Sequence, residues 1–217
     1  MLAIIPEELR MAQSTLDLTS TGYRGRSDHA VRRQIVDAAR ERFSQDGYAN
    51  VAVADVAKTI GFSKAYIYKF FDSKRAIGEA LCTQIMEVLL DKAQHASRKG
   101  ATSSERLSLY FLKLVDVNVA LCKKYPRLAD IALDAMRERW APSVAYVEAV
   151  ERFVSTIVQQ GQVSGEFHAR TPPNEAGRAI ARAMEIYYNP LVLQFKLDEL
   201  PKGPHEILRL LICGLSR

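Results

Sequence analysis

The residues best equipped for chemistry in this chain crowd into one short stretch, Val53 to Phe71, which reads V-A-D-V-A-K-T-I-G-F-S-K-A-Y-I-Y-K-F-F. Lys64, Ala65, Tyr66, Tyr68 and Lys69 follow Ser63, and Lys74 comes shortly after. A lysine in the first turn of a helix lying in the major groove can donate to guanine O6 or N7. A tyrosine there can pack on a thymine methyl or reach a phosphate, and Tyr68 and Lys69, one turn later, suit the flanking backbone. Lys74 opens the next helical segment, where its ammonium and the helix's free N–H groups can share a phosphate. Catalysis has no comparable constellation. His29, His95, His168 and His205 are scattered, with no zinc-protease, nucleophile-elbow or phosphate-loop pattern. A nucleophilic Cys82, Cys122 or Cys213 needs a histidine and a carboxylate beside it in space. No catalytic residue and no metal ligand set is therefore expected.

The local pattern that must hold these side chains is helix, tight turn, helix. Val53, Val56, Ala57 and Ile60 share one side of a helix over 53–60, and Gly61 sits where a left-handed backbone is needed. Ser63 can cap a second helix from Lys64 to Phe70 or Phe71. Ile67 and Phe71 share its inner face, and small Ala57 lets the two helices cross closely. This is the helix-turn-helix arrangement, whose second helix enters the major groove N-terminus first. Upstream, Val31, Ile35, Ala38/Ala39 and Phe43 make an apolar stripe, predicting a helix from Asp28 to Gln45 with Ser27 as cap and Gly47 as stop. Downstream, Ser73 caps a helix lasting to about Ser97. Leu107 to Leu121 predicts a fifth helix, Pro126 and Pro142 open two more, Thr171 caps an eighth, Asn189-Pro190 breaks it, and the last runs over Pro204–Leu215. No alternating strand appears. The fold class is all-α: a three-helix helix-turn-helix domain over 27–75, a larger helical domain over 76–217, and a mobile tail over 1–26 that carries Arg24 and Arg26 at its end.

Charge gives the motif an address. The chain has 217 residues and a net charge of +5, and residues 22–75 hold eleven Lys/Arg against six Asp/Glu. That segment alone equals the whole excess, as a polyanion-binding surface requires. No uncharged apolar run approaches the roughly 20 residues of a membrane span, and the first ten residues offer no signal peptide. Three well-separated cysteines fit neither a disulfide framework nor a metal knuckle, so a reducing cytoplasm is the expected location and no membrane is expected as a partner.

The block A-x-x-x-F-x-x-x-G-Y (Ala39, Phe43, Gly47, Tyr48), followed by Asp55 to Lys74, closely resembles the N-terminal domain of TetR-family transcriptional regulators. The resemblance spans Arg32 to Leu81. It implies a homodimeric, ligand-responsive repressor that binds double-stranded DNA at a palindromic operator, with no cofactor. It places DNA contacts on Ser63, Lys64, Ala65, Tyr66, Tyr68, Lys69 and Lys74. Two departures stand out. Val51-Ala52-Val53 offers no side-chain cap for the second helix, and Ala65-Tyr66 replaces the small or hydroxyl residues frequent in the family.

For the small-molecule effector the sequence offers only pocket-type residues in the middle helices: Tyr110, Asn118, Met136, Trp140 and Tyr146. The competing reading is ordinary core. For the homodimer, the apolar sides of the last two long helices, Ile180, Met184 and Tyr187/Tyr188 with Leu208, Leu211 and Ile212, are candidates to meet a symmetry mate. They could equally close their own subunit. A helical enzyme or a protein-interaction module without operator binding is the alternative function.

Overall fold

A computed structural model describes residues 23–216. The long helices are α1 (Tyr23–Asp46), α4 (Lys74–Ser97), α5 (Ser103–Lys124), α6 (Pro126–Arg137), α7 (Ala141–Val163), α8 (Pro173–Tyr188) and α10 (Lys202–Leu215). Short helices are α2 (Val53–Thr59), α3 (Lys64–Ile67) and α9 (Pro190–Leu193), with a 3₁₀ turn at Leu197–Glu199. Among the described residues the only β pairing is an isolated bridge between Phe167 and Ser216, and no helix is long and apolar enough to cross a membrane.

The chain divides into two compact units that are not consecutive in sequence. The first comprises residues up to Val88 and returns for Tyr125–Ser143; the second holds Leu89–Lys124 and Val144–Arg217. These contact-defined units differ from a linear division after residue 75, since the first half of α4 and all of α6 fall in the first unit. Helix α6 packs on α1, and Leu128, Ile131, Ala132 and Ala135 on its inner side are buried. Its amphipathic period says that it has a partner but not which one, and Pro126 at its first turn reads the same in either unit.

Capping explains several boundaries. Gly47, at φ +83°, ends α1 as expected. The start differs: α1 begins at Tyr23, so Ser27 is an interior residue and not a cap. Residues 23–26, assigned to the tail, are helical, and Gly25 inside a helix costs only about 1 kcal/mol. Residues 1–22 of that tail lie outside the described residues. At α8 the cap is Pro172 with Pro173 at the first position, and Thr171 makes no capping bond. Asn189 ends α8 and caps α9, its Oδ1 accepting from Leu191 N at 3.0 Å.

In the second unit, α8 packs on α5 and α10, and α10 on α5. Ile180, Met184, Tyr187, Tyr188 and Leu208 are buried in this packing, while Leu211 and Ile212 are half-buried. Most of the side chains proposed for a dimer face thus close their own chain's core. The large apolar side chains of this unit that do face outward are Val163, 84% exposed, Phe195, 75%, Leu210, 70%, and, less so, Leu197.

The start of α5 is held by a carboxylate from a distant loop. Glu166 accepts from Ser103 N at 2.7 Å, Ser104 N at 2.8 Å and Ser104 Oγ at 2.5 Å. Partial burial opposes its ionisation, but these donors outweigh it and hold the carboxyl below its usual range. Glu166→Gln should therefore lower stability at pH 7 by about 1 kcal/mol, the worth of a helix cap. A depressed carboxyl stabilises above its unfolded pKa and loses that contribution as pH falls through the folded value. Denaturant titrations should thus show wild type and mutant converging below roughly pH 4; a gap that stays constant down to pH 3 would rule this account out.

Candidate nucleic-acid interface

Helices α1 to α3 build the interface within the first unit. Helix α2 lacks a side-chain cap, since Ala52 fills that position. The Asp55 carboxylate compensates by accepting from Ala52 N at 2.8 Å, the reciprocal half of a capping box. Gly61, at φ +70°, turns the chain, and Phe62 N closes the turn on Ala57 O at 2.9 Å. Ser63 Oγ then accepts from Tyr66 N at 3.1 Å and starts α3. Buried Val56, Ala57, Ile67 and Phe71 fill the wedge, with Ile35, Ala39 and Phe43 of α1 also buried.

The second helix of the motif is shorter than its sequence suggests. After Ile67 three-residue bonds mix in: Lys69 N donates to Tyr66 O at 3.2 Å and Phe70 N to Ile67 O at 2.9 Å, while Phe71 N still reaches back four residues to Ile67 O at 3.1 Å. Asp72 and Ser73 follow too closely for another α turn, because Ser73 Oγ must accept from Ala76 N, at 3.0 Å, to cap α4. Arg32 pins this exit. Its guanidinium donates to Phe70 O and lies 4.3 Å from the centroid of the Phe71 ring. The motif's spacing gives no sign of this anchor.

Ser63, Lys64, Ala65, Tyr68 and Lys69 are exposed on one short convex surface, Tyr68 at 42%. Tyr66 is half-buried between Phe62 and Phe70, with centroid distances of 4.8 and 5.3 Å. Lys69 Nζ lies 5.5 Å from the Tyr66 ring and Lys64 Nζ 5.8 Å from the Tyr68 ring. The lysines are thus partly oriented by aromatic faces yet free to donate. Lys74 is different. Its ammonium donates to Ala49 O at 3.2 Å and sits 4.5 Å from the Tyr48 ring, and partial burial lowers its pKa.

The structure separates the five effector candidates. Trp140 belongs to the first unit and is 1% exposed. Its indole N–H donates to Glu138 Oε2 at 2.8 Å, and its ring meets Tyr48 at 5.6 Å. Met136, half-buried, is also in the first unit. Tyr110, Asn118 and Tyr146 come together in the second, joined by Tyr188, which the sequence offers for a dimer face and not for the effector, and by Phe111 and Phe153, which it does not single out. Tyr188 lies on an apolar stripe and looks like core until its neighbours are known. Cys82 is buried, and that burial pushes its thiol up to about 12, far from a nucleophile's range.

Two family models match: "Bacterial regulatory proteins, tetR family" over residues 35–81, and "Tetracyclin repressor-like, C-terminal domain" over residues 103–201. The chain is 31% identical over 187 residues to the fatty acid metabolism regulator protein of Bacillus subtilis (strain 168), covering 84% of this chain and 94% of that protein. The chain belongs to the tetR family. This tetR-family protein is a DNA-binding transcriptional regulator, a repressor that responds to a small-molecule effector. A stretch of 71 residues is also 34% identical to the regulator RutR of Escherichia coli (strain K12), covering 33% of this chain and 34% of that one. In fold it is similar to the transcriptional regulator FadR of Bacillus subtilis, solved in complex with stearoyl-CoA, with a TM-score of 0.61, 22% identity and coverage of 85% and 99%. A transcriptional regulator of Cytophaga hutchinsonii has a TM-score of 0.63 at 18% identity, covering 85% of this chain and 98% of that one.

Proposed function

We propose that this regulator is a cytoplasmic homodimer without catalytic activity, that it represses genes from a palindromic operator, and that a long-chain acyl thioester releases it. The observation that carries the effector class is the near full-length likeness to a fatty acid metabolism regulator. The second unit supports it. Among the described residues its buried polar side chains are Ser97, Ser103 and Asn118, with no buried Lys, Arg, Asp or Glu. An uncharged, aromatic interior suits an alkyl chain.

In this reading Lys64, Ala65 and Tyr68 read base edges, and Ser63 and Lys69 reach the flanking phosphates. Tyr66 acts as a packed strut between Phe62 and Phe70. Lys74 braces the start of α4 through Ala49 and Tyr48, and a phosphate there would meet an ammonium that is already held. A monomer reads few base pairs, so a two-fold dimer supplies the second half-site. Outward-facing Leu210 of α10 and Phe195 just after α9 are, with Val163, apolar groups left exposed for a mate to cover. Helix α4 runs through the boundary at Val88, which makes it the element able to carry an effector's influence to the recognition helices. Release requires the effector to bind the DNA-free form more tightly, and a hundredfold difference corresponds to about 2.7 kcal/mol of coupling.

The test is a mobility shift on the protein's own promoter DNA, repeated with stearoyl-CoA and with CoA alone. A shifted band that stearoyl-CoA dissolves and CoA leaves intact is expected. A band insensitive to stearoyl-CoA would reject the effector class while leaving DNA binding in place.

A further inference from the structure

Within the second unit, a run of rings from three helices encloses a small polar centre. Tyr110 and Phe111 come from α5, Tyr146 and Phe153 from α7, and Tyr188 from α8. The Tyr110 ring lies 4.6 Å from Phe153 and 5.4 Å from Phe111; Phe111 stacks on Tyr188 at 6.2 Å, and Tyr188 meets Tyr146 edge-on at 6.0 Å. Asn118 Nδ2 donates to Leu114 O at 2.8 Å and to the Tyr146 hydroxyl at 3.4 Å. Tyr110 is fully buried, and its hydroxyl has no hydrogen-bond partner among the described residues.

That last feature asks for a reason. A buried donor left unmade is destabilising, and phenylalanine would fill the same volume without it. Burial, and then the nearness of Tyr146 and Tyr188, push the Tyr110 phenol upward, so it stays protonated and keeps a donor to offer. Among the described residues the second unit has no buried Lys or Arg to offset a carboxylate's charge, whereas a neutral acceptor needs none. Phe153, the ring against Tyr110, is only half-buried, so this side of the cluster lies next to the surface.

We infer that Tyr110 is the polar anchor of the effector site, its hydroxyl donating a hydrogen bond to an uncharged carbonyl oxygen of the ligand while the surrounding rings hold its alkyl part. This rests on the acyl-thioester reading above and narrows it: the carbonyl of the thioester, and not a free carboxylate, is the group recognised.

The experiment is calorimetric titration of full-length wild type and Tyr110→Phe with stearoyl-CoA, with S-octadecyl-CoA (a thioether lacking the carbonyl) and with stearate. Wild type should prefer the thioester over the thioether by about tenfold or more, the net worth of one neutral hydrogen bond. Tyr110→Phe should lose that preference and bind both ligands alike, while its unliganded melting temperature equals or exceeds that of wild type. Equal binding of thioester and thioether by wild type, a preference for stearate, or undiminished thioester binding by Tyr110→Phe would overturn the anchor. If Tyr110→Phe does not fold, the comparison of thioester and thioether on wild type decides alone. Failure of wild type to bind any of the three would instead remove the acyl-thioester reading, and this anchor with it.

Discussion

The double substitution Lys64→Glu/Lys69→Glu should weaken operator binding on the order of a thousandfold at physiological salt, while the protein keeps its melting temperature. Both side chains are exposed on the α3 surface, and a dimer would carry four reversed charges onto a polyanion. Each phosphate that is no longer neutralised also takes about one from the slope of log affinity against log salt. Stability has little to lose. The ammoniums lie 5.8 and 5.5 Å from their rings at exposed positions, and a glutamate at position 64 sits better than lysine at a helix N-terminus. Fluorescence anisotropy on labelled promoter DNA across a salt series measures both quantities. Binding retained within threefold of wild type would mean that α3 is not the DNA-reading element.

The largest stability effect is expected at Gly177. A Cβ there would lie 2.2 Å from Ser155 Oγ and 2.6 Å from both Cα and N of Ser155. The hydroxyl can rotate away, but the backbone of α7 cannot, so Gly177→Val forces α7 and α8 apart. Overpacking of this kind costs about 3 kcal/mol or more, which for a chain of this length lowers the melting temperature by about 6–12 °C. Gly214→Val is the control, because a Cβ there meets nothing within 4 Å. Similar melting temperatures for the two variants in thermal unfolding would show that the close approach is not rigid.

The recognition motif is legible in the sequence because its determinants are local. Gly61 supplies a left-handed turn and Ser63 caps the helix two residues later, and both can be recognised from neighbours in the chain. Helices α5 to α8 are legible as helices for the same reason: their periods and prolines are local. The tyrosine cluster is half legible. Tyr110, Asn118 and Tyr146 stand out as polar or aromatic residues on apolar faces, but so does Trp140, whose partners Tyr48 and Arg75 lie some 65 to 90 residues upstream. An aromatic on an apolar stripe carries no mark of which unit will enclose it. The start of α1 is hidden for a different reason: Ser27 has the chemistry of a cap in a place where the helix continues past it.

The indole of Trp140 has a practical use. Trp140 is the chain's single tryptophan, and it belongs to the unit that carries the DNA-reading helix, whereas the tyrosine cluster belongs to the other. The protein therefore contains a built-in emitter in the first unit, apart from the tyrosine cluster proposed to hold the effector. If the effector binds at that cluster, a change in Trp140 emission on its addition is an optical reading, without any label, of an effect carried from the second unit to the first.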